Sequence, residues 1–92
     1  MRIELDGRAM TDRERTHEYL ASQLQFPAYY GRNLDALYDL LTERGEELEI
    51  RLHHVEEMKR NLGIYGSKLL QTLLEAECDH LPLTVTVCTF DE

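Results

Sequence analysis

The chain has 92 residues and a formal net charge of −8, with 42% hydrophobic and 30% charged residues. This length predicts one domain over residues 1–92 with a small core, and the composition is that of a globular protein. Eighteen acidic against ten basic residues argue against nucleic acid as a direct ligand and against an anionic membrane surface, because both bind clustered Lys and Arg. The same excess permits a basic protein partner.

The acidic excess is unevenly distributed along the chain. Residues 1–45 hold six bases and eight acids, a net charge of −2, whereas residues 46–92 hold four bases and ten acids, a net charge of −6. A functional hypothesis must therefore say whether the acids that bind lie in the more heavily charged half.

The N-terminus has no feature of an export signal. An acid, Glu4, occurs within the first four residues, and neither an apolar stretch nor a small-residue cleavage site follows. No segment approaches the roughly 18 apolar residues of a membrane span. Cys78 and Cys88 are too few for a disulfide framework. We therefore expect a cytoplasmic protein with reduced thiols.

The first predicted elements are a strand and a helix. Residues 2–5 alternate between apolar and polar side chains, which predicts a strand, and a turn follows at 6–7. Thr11 and Glu14 match a capping box, so Thr11 is the predicted N-cap of a helix that runs to about Leu24. The apolar stripe of this helix is thin and consists of His17, Leu20, Ala21 and Leu24.

The next two elements follow a short loop. Pro27 ends the first helix, because the residue before a proline is pushed out of the helical region. Asn33 is a suitable N-cap for a second helix over about 34–43, with Gly45 as its stop. Residues 48–53 alternate between apolar and polar side chains and predict a second strand.

The remaining predicted elements are two helices and a last strand. A short helical turn is predicted over 55–60, a break at 61–63, a leucine-rich helix over about 67–77, and a β-branched strand over 83–88. We expect four leucines of the last helix in the core: Leu69, Leu70, Leu73 and Leu74. The order β-α-α-β-α-α-β predicts an α/β fold, in which about four helices cover a small three-stranded, mainly parallel sheet.

The second helix has two distinct faces. Leu34, Leu37, Tyr38 and Leu41 form the core face, and Asp35, Asp39 and Thr42 share the adjoining face. Tyr38 lies at the seam between the two faces. Two readings of the acidic face remain open. It is either an ordinary solvated face, or an unpaired carboxylate pair presented with aromatics to a cationic partner. Tyr29 and Tyr30 extend the same surface, and we expect one of these two tyrosines to pack into the core.

The segment 26–42, with the pattern Pro-x-Tyr-Tyr-Gly-x-Asn-Leu-Asp-Ala-Leu-(aromatic)-Asp-x-Leu, resembles the barstar family of ribonuclease inhibitors. The length, the element order, Gly66, the leucine-rich helix and the last strand fit the same family. The resemblance implies a protein that inhibits a barnase-type, guanyl-preferring ribonuclease inside the cell that makes it. In that family, the second helix and the preceding loop plug the nuclease active site.

Carried onto this chain, the resemblance implies a set of partner-binding residues. These are Tyr29, Gly31, Asn33, Leu34, Asp35, Tyr38, Asp39, Thr42 and, on the last helix, Glu75. Asp39 would take the place of an RNA phosphate, and Asp35 would bond to backbone amides and neighbouring catalytic groups. Gly31 would shape the loop. A further interface glutamate corresponds to either Glu46 or Glu47, and the sequence does not choose between them.

Several positions depart from the family prototype. Tyr38 stands in place of a tryptophan, Glu43 and Arg44 replace a glycine and a second tryptophan, and Arg32 replaces an acid. These changes bear on the identity of the partner and not on the fold. Two alternatives follow: an antitoxin or immunity protein against a diverged toxin, and a small regulatory domain that kept the fold and lost inhibition.

Catalytic and metal sites find no support in the sequence. Four histidines and two cysteines lack the spacing of metal ligands, and nothing supplies a base or an oxyanion hole for Cys78. Asp35 and Asp39, one turn apart on an exposed helix, are poorly placed for acid–base chemistry. We therefore expect no cofactor, no metal and no enzymatic activity.

The expected partner is a basic ribonuclease or a related toxin, bound in a 1:1 complex. We expect the protein to be monomeric when free.

Overall fold

The computed structural model describes residues 1–43, 46–77 and 82–88. In chain order, these residues form β1 (Arg2–Asp6), α1 (Arg13–Leu24), α2 (Leu34–Glu43), β2 (Leu48–His53), α3 (Val55–Leu62), α4 (Ile64–Ala76) and β3 (Leu83–Val87). One turn of 3-10 helix, Gly7–Ala9, follows β1. The predicted element order is confirmed. The predicted stop at Gly45, like Arg44, Cys78 and His80, lies outside the described residues.

The sheet has the order β1-β2-β3, and both pairs of strands are parallel. Leu48, Ile50 and Leu52 of β2 are buried, and the residues between them are only half-buried. Parallel sheets are usually covered on both faces. Here the alternation makes the second face polar, and it carries the ion pair Arg2–Glu49 (3.3 Å) and a polar contact between His53 and Glu4.

The core lies between the apolar face of the sheet and the helices. Its buried side chains include Leu5 and Met10, Leu20 and Leu24 of α1, Leu37 and Leu41 of α2, Leu48, Ile50 and Leu52 of β2, Met58 of α3, Leu69 and Leu73 of α4, and Val85 of β3. Within the described ranges, no helix has both the length and the apolar character that crossing a bilayer requires.

Two predicted helix starts are wrong by one to three residues. The N-cap of α1 is Asp12 rather than Thr11, because the Asp12 carboxylate accepts the Arg15 backbone N–H at 2.8 Å. A carboxylate is also favoured at the positive end of a helix. Helix α4 begins at Ile64 rather than Ser67, since Gly63, at φ 63°, ends α3 and turns the chain directly into α4.

The prediction that four leucines of α4 lie in the core is wrong for Leu74, which is 44% exposed. Leu69 and Leu73 are buried, and Leu70 is partly buried against the core. The four positions span about 140° of the helix circumference, which is wider than the buried stripe. That stripe is completed by Gly66 and Ala76 instead.

A buried histidine joins three separate segments. His17 of α1 is 1% exposed. Its Nδ1 lies 2.6 Å from the Tyr30 hydroxyl, and its Nε2 lies 2.6 Å from the Tyr65 hydroxyl. A neutral imidazole has one donor and one acceptor nitrogen, so it satisfies both hydroxyls. Through this bridge, α1 is tied to the loop before α2 and to the first turn of α4.

Burial keeps the members of this bridge uncharged. It lowers the pKa of His17 below its ordinary value of 6.5, and the nearby Arg13 and Arg32 guanidinium groups lower it further. Burial also raises the pKa of the Tyr30 and Tyr65 hydroxyls. The folded protein therefore favours neutral imidazole with both hydroxyls protonated.

We expect Gly7→Ala to destabilise the protein by about 3 kcal/mol, because a Cβ there would overlap the backbone carbonyl oxygen of His54. Gly66→Ala is the comparison. Its Cβ would lie 3.1 Å from Lys59 Cα and Met58 O, and the higher helix propensity of Ala offsets part of the cost. The net loss at Gly66 should stay within about 1 kcal/mol. Urea denaturation measures both variants, and equal losses would contradict this account.

The His17 bridge predicts a pH dependence of stability. Because the pKa of His17 is lower in the folded chain than its ordinary value of 6.5, the unfolded chain binds more protons below that pH. The free energy of unfolding should therefore fall as the pH drops below 6.5, by at most about 1.4 kcal/mol per pH unit for one proton. His17→Gln should remove this contribution, while the other three histidines remain in both proteins. Parallel pH profiles of the two proteins would contradict the prediction.

Candidate functional site

The loop between α1 and α2 is held from inside the protein. Gln25 ends α1 in the left-handed region, and the Phe26 N–H donates to the Ala21 carbonyl at 2.9 Å. The Phe26 and Tyr30 rings lie 4.8 Å apart, and the Tyr30 N–H donates to the Pro27 carbonyl at 3.0 Å. The anchored end of this loop is thus Tyr30, whose hydroxyl belongs to the His17 bridge.

The two adjacent tyrosines of the loop have opposite environments. Tyr30 is 7% exposed, whereas Tyr29 is 79% exposed. This confirms the expectation that one of the pair packs into the core. Because Tyr30 is fixed, Tyr29 presents a large, stiff and amphipathic ring to solvent from a rigid base, as tyrosines in binding surfaces do.

Asn33 caps α2, as predicted. Its Oδ1 accepts the Ala36 N–H at 2.7 Å, and its Nδ2 donates to the Gly31 carbonyl at 3.2 Å. A side chain at Gly31 would press on this cap, since a Cβ would lie 3.2 Å from the Ala36 Cβ and 3.3 Å from Asn33 Nδ2. Asn33 and Gly31 therefore shape the start of the helix, whatever else they contact.

The acidic face of α2 is open. Asp35, Tyr38 and Asp39 are exposed, Tyr38 by 40%, as expected for a residue at the edge of the core face. Neither aspartate carboxylate forms a hydrogen bond or an ion pair with any residue that the structure describes. Two like charges one turn apart cost a few tenths of a kcal/mol in an isolated helix. Their carboxylate oxygens are free to accept bonds from a partner.

The remaining predicted residues of α2 are partly engaged. Leu34 is half-buried against the core. The Thr42 hydroxyl donates back along the helix, with the Tyr38 carbonyl at 2.8 Å and the Asp39 carbonyl at 3.2 Å. One segment thus brings together eight predicted residues, which we call the loop–helix surface: Tyr29, Gly31, Asn33, Leu34, Asp35, Tyr38, Asp39 and Thr42.

Glu75 lies apart from this segment, on α4. It is exposed and accepts a hydrogen bond from Gln71 Nε2 at 2.9 Å. Helix α2 packs against α4. Nevertheless, Glu75 borders a groove with Lys59 and Leu74, and Asp35 lines a different groove that shares no residue with it. Its place in a binding surface stays a prediction. Glu46 and Glu47 are both exposed, so the choice between them also stays open.

A basic groove beside Asp35 was not predicted from the sequence. It has a volume of about 330 Å³ and lies where the start of α2 faces α1 and the start of α4. Its charged residues are Arg13, Arg32, Lys68 and Asp35, and its other residues are Asn33, Leu34 and Tyr65. The cations come from three segments that are distant in sequence, so no local motif marks them.

The loop–helix surface presents charged and aromatic groups that a partner could bind. In residues 1–43, 46–77 and 82–88, no three His, Cys, Asp or Glu side chains are grouped in a way that could hold a metal ion. The two exposed carboxylates and two exposed tyrosines of the loop–helix surface form a rigid, acidic and aromatic patch. Such a patch is complementary to a cationic protein surface.

Comparison with known proteins identifies a family and a relative. The family model described as Barstar (barnase inhibitor) matches residues 1–88. A protein of Bacillus subtilis (strain 168), named "Putative ribonuclease inhibitor YrdF", is 40% identical over 77 residues, which cover 83% of this chain and 85% of that protein. The family match includes the whole loop–helix surface, and the three-stranded parallel sheet with four helices agrees with it. The chain belongs to the barstar family.

Proposed function

We propose that this protein is a stoichiometric inhibitor of a barnase-type, guanyl-preferring ribonuclease, with no catalysis of its own. It acts in the cytoplasm of the cell that makes the nuclease and forms a 1:1 complex. The observation that carries the proposal is the pair of unpaired carboxylates, Asp35 and Asp39, exposed on a helix whose start is capped and whose preceding loop is anchored. The family and the name of the Bacillus subtilis relative support the ribonuclease as partner.

The geometry favours binding in a phosphate site. A ribonuclease active site is a cationic pocket for the RNA backbone, and a carboxylate can accept the charge-assisted bonds that a phosphate would accept. In the proposal, Asp39 takes the phosphate position, Asp35 binds beside it, and Tyr29 and Tyr38 pack around them. The energetic cost of ordering is small, because the capped helix and anchored loop are already in place.

A second candidate is an immunity protein against a diverged toxin. Arg32 and Tyr38 favour it, since both lie on or beside the loop–helix surface and both depart from the family prototype. Inhibition of a guanyl-preferring ribonuclease at 1:1 stoichiometry separates the two candidates. A protein that captures another toxin and leaves such a ribonuclease active would favour the second.

Asp39→Ala should weaken inhibition of a guanyl-preferring ribonuclease by more than about 2 kcal/mol, as loss of a binding hot spot does. Because Asp39 is exposed and unpaired among the described residues, its replacement should leave the free energy of unfolding almost unchanged. Glu56→Ala removes an exposed acid from α3 and is the matched control, which should inhibit as the wild type does. Inhibition titrations and urea denaturation measure the two quantities. If Asp39→Ala lowers stability and binding by the same amount, the residue is structural.

The association rate should depend strongly on salt. Opposite fields can raise association rates to roughly 10⁸–10⁹ M⁻¹s⁻¹ at low ionic strength. Raising salt should therefore slow association of the inhibitor with the ribonuclease far more than it speeds dissociation. Stopped-flow mixing over a range of salt concentrations measures both rates, and a salt-independent association rate would exclude electrostatic steering.

A further inference from the structure

The basic groove is unexpected on so acidic a chain. Three cationic side chains, those of Arg13, Arg32 and Lys68, line this groove together with one carboxylate, that of Asp35, whereas the whole chain has a net charge of −8. The groove is continuous with the loop–helix surface, because Asn33 and Asp35 belong to both. Any partner seated over Asp35 therefore also covers part of the groove.

The cations of the groove are only weakly compensated within the described residues. Arg32 NH1 lies 3.8 Å from a Glu18 carboxylate oxygen, and both side chains are more than half exposed, so this pair is largely screened by solvent. The Arg13 guanidinium lies over the Tyr65 ring, 4.1 Å from the ring centroid, a contact that involves no carboxylate. Lys68 has no ion pair in the part of the chain that the structure describes.

A partner that covers these cations without supplying an opposite charge would remove their hydrating water and form no ion pair to compensate for it. Such burial of unpaired charge is strongly unfavourable, and interfaces therefore meet it with an opposite charge or avoid it. A nuclease whose whole surface around the active site is basic would be repelled here. A nuclease with an acidic side chain beside its cationic pocket would be accepted.

We propose that the basic groove is a second docking subsite, which receives a carboxylate from the partner protein and selects nucleases with an acidic residue next to the active site. This inference rests on the proposed function. A protein carboxylate fits better than a free phosphate, because Asp35 stands inside the groove and repels a dianion more than a single charge.

The test is an NMR titration of the ¹⁵N-labelled protein with the peptide acetyl-Gly-Glu-Gly-Glu-Gly-amide near neutral pH and at low salt. We expect saturable shifts at Arg13, Arg32, Asn33, Tyr65 and Lys68. Lys68→Glu should weaken peptide binding by about tenfold or more. Arg60→Glu makes the same charge change on an exposed base of α3, and it should change the affinity by no more than about twofold. Arg32→Gln is a second, independent variant that should also weaken binding.

Three outcomes would overturn the proposal. In the first, the NMR shifts do not saturate or fall on residues outside the groove. In the second, Lys68→Glu and Arg60→Glu lose the same amount of peptide affinity. In the third, inorganic phosphate binds at the same residues more tightly than the peptide does. The titration does not require a nuclease, so the two ideas fail separately. Ribonuclease inhibition without peptide binding keeps the proposed function and removes the subsite. Peptide binding without inhibition removes the proposed function and keeps only a groove that binds carboxylates.

Discussion

The His17 imidazole is the contact on which the candidate site depends. Fully buried polar groups must find partners, and this ring, at 1% exposed, meets the requirement with hydroxyls from two other segments, 13 and 48 residues away in sequence. The bridge fixes the relative positions of α1, the loop and the first turn of α4. Tyr30 is thereby held inward, and its neighbour Tyr29 faces outward on a rigid loop that leads into the capped α2.

The distribution of charge follows from this arrangement. The two carboxylates of α2 lie in the half of the chain whose net charge is only −2, so the much larger acidic excess of residues 46–92 is a background field rather than the binding group itself. The bridge ties α1 to the start of α4, so Arg13 and Lys68 of these two helices line one groove with Arg32 and Asp35. An acidic patch and a basic groove therefore lie side by side, and in our proposal this pattern, rather than net charge, selects the partner.

Local sequence patterns predicted the parts of the fold that local forces determine. The alternation of β2 reproduces its observed bounds, Leu48–His53, and Asn33 caps α2 as its side chain should. Where two residues compete for one role, the pattern was less reliable. Asp12 rather than Thr11 is the N-cap, and Leu74 lies outside the core because Gly66 and Ala76 fill the buried stripe of α4.

The His17 bridge and the basic groove join distant segments, so no local spacing could predict them. The resemblance to barstar supplied most of the loop–helix surface, and it gave no information on the groove.

Amide hydrogen exchange in Tyr30→Phe tests most directly whether the buried bridge holds the site. The variant keeps the ring that packs on Phe26 and removes only the hydroxyl that reaches His17. We expect the amides of the loop and the cap, those of Tyr30 and Ala36 above all, to lose more protection than the amides of β2, which report global unfolding. Tyr29→Phe, which removes an exposed hydroxyl, should leave both groups unchanged. A uniform loss across β2 and the loop, or no loss at all in the loop, would contradict the account.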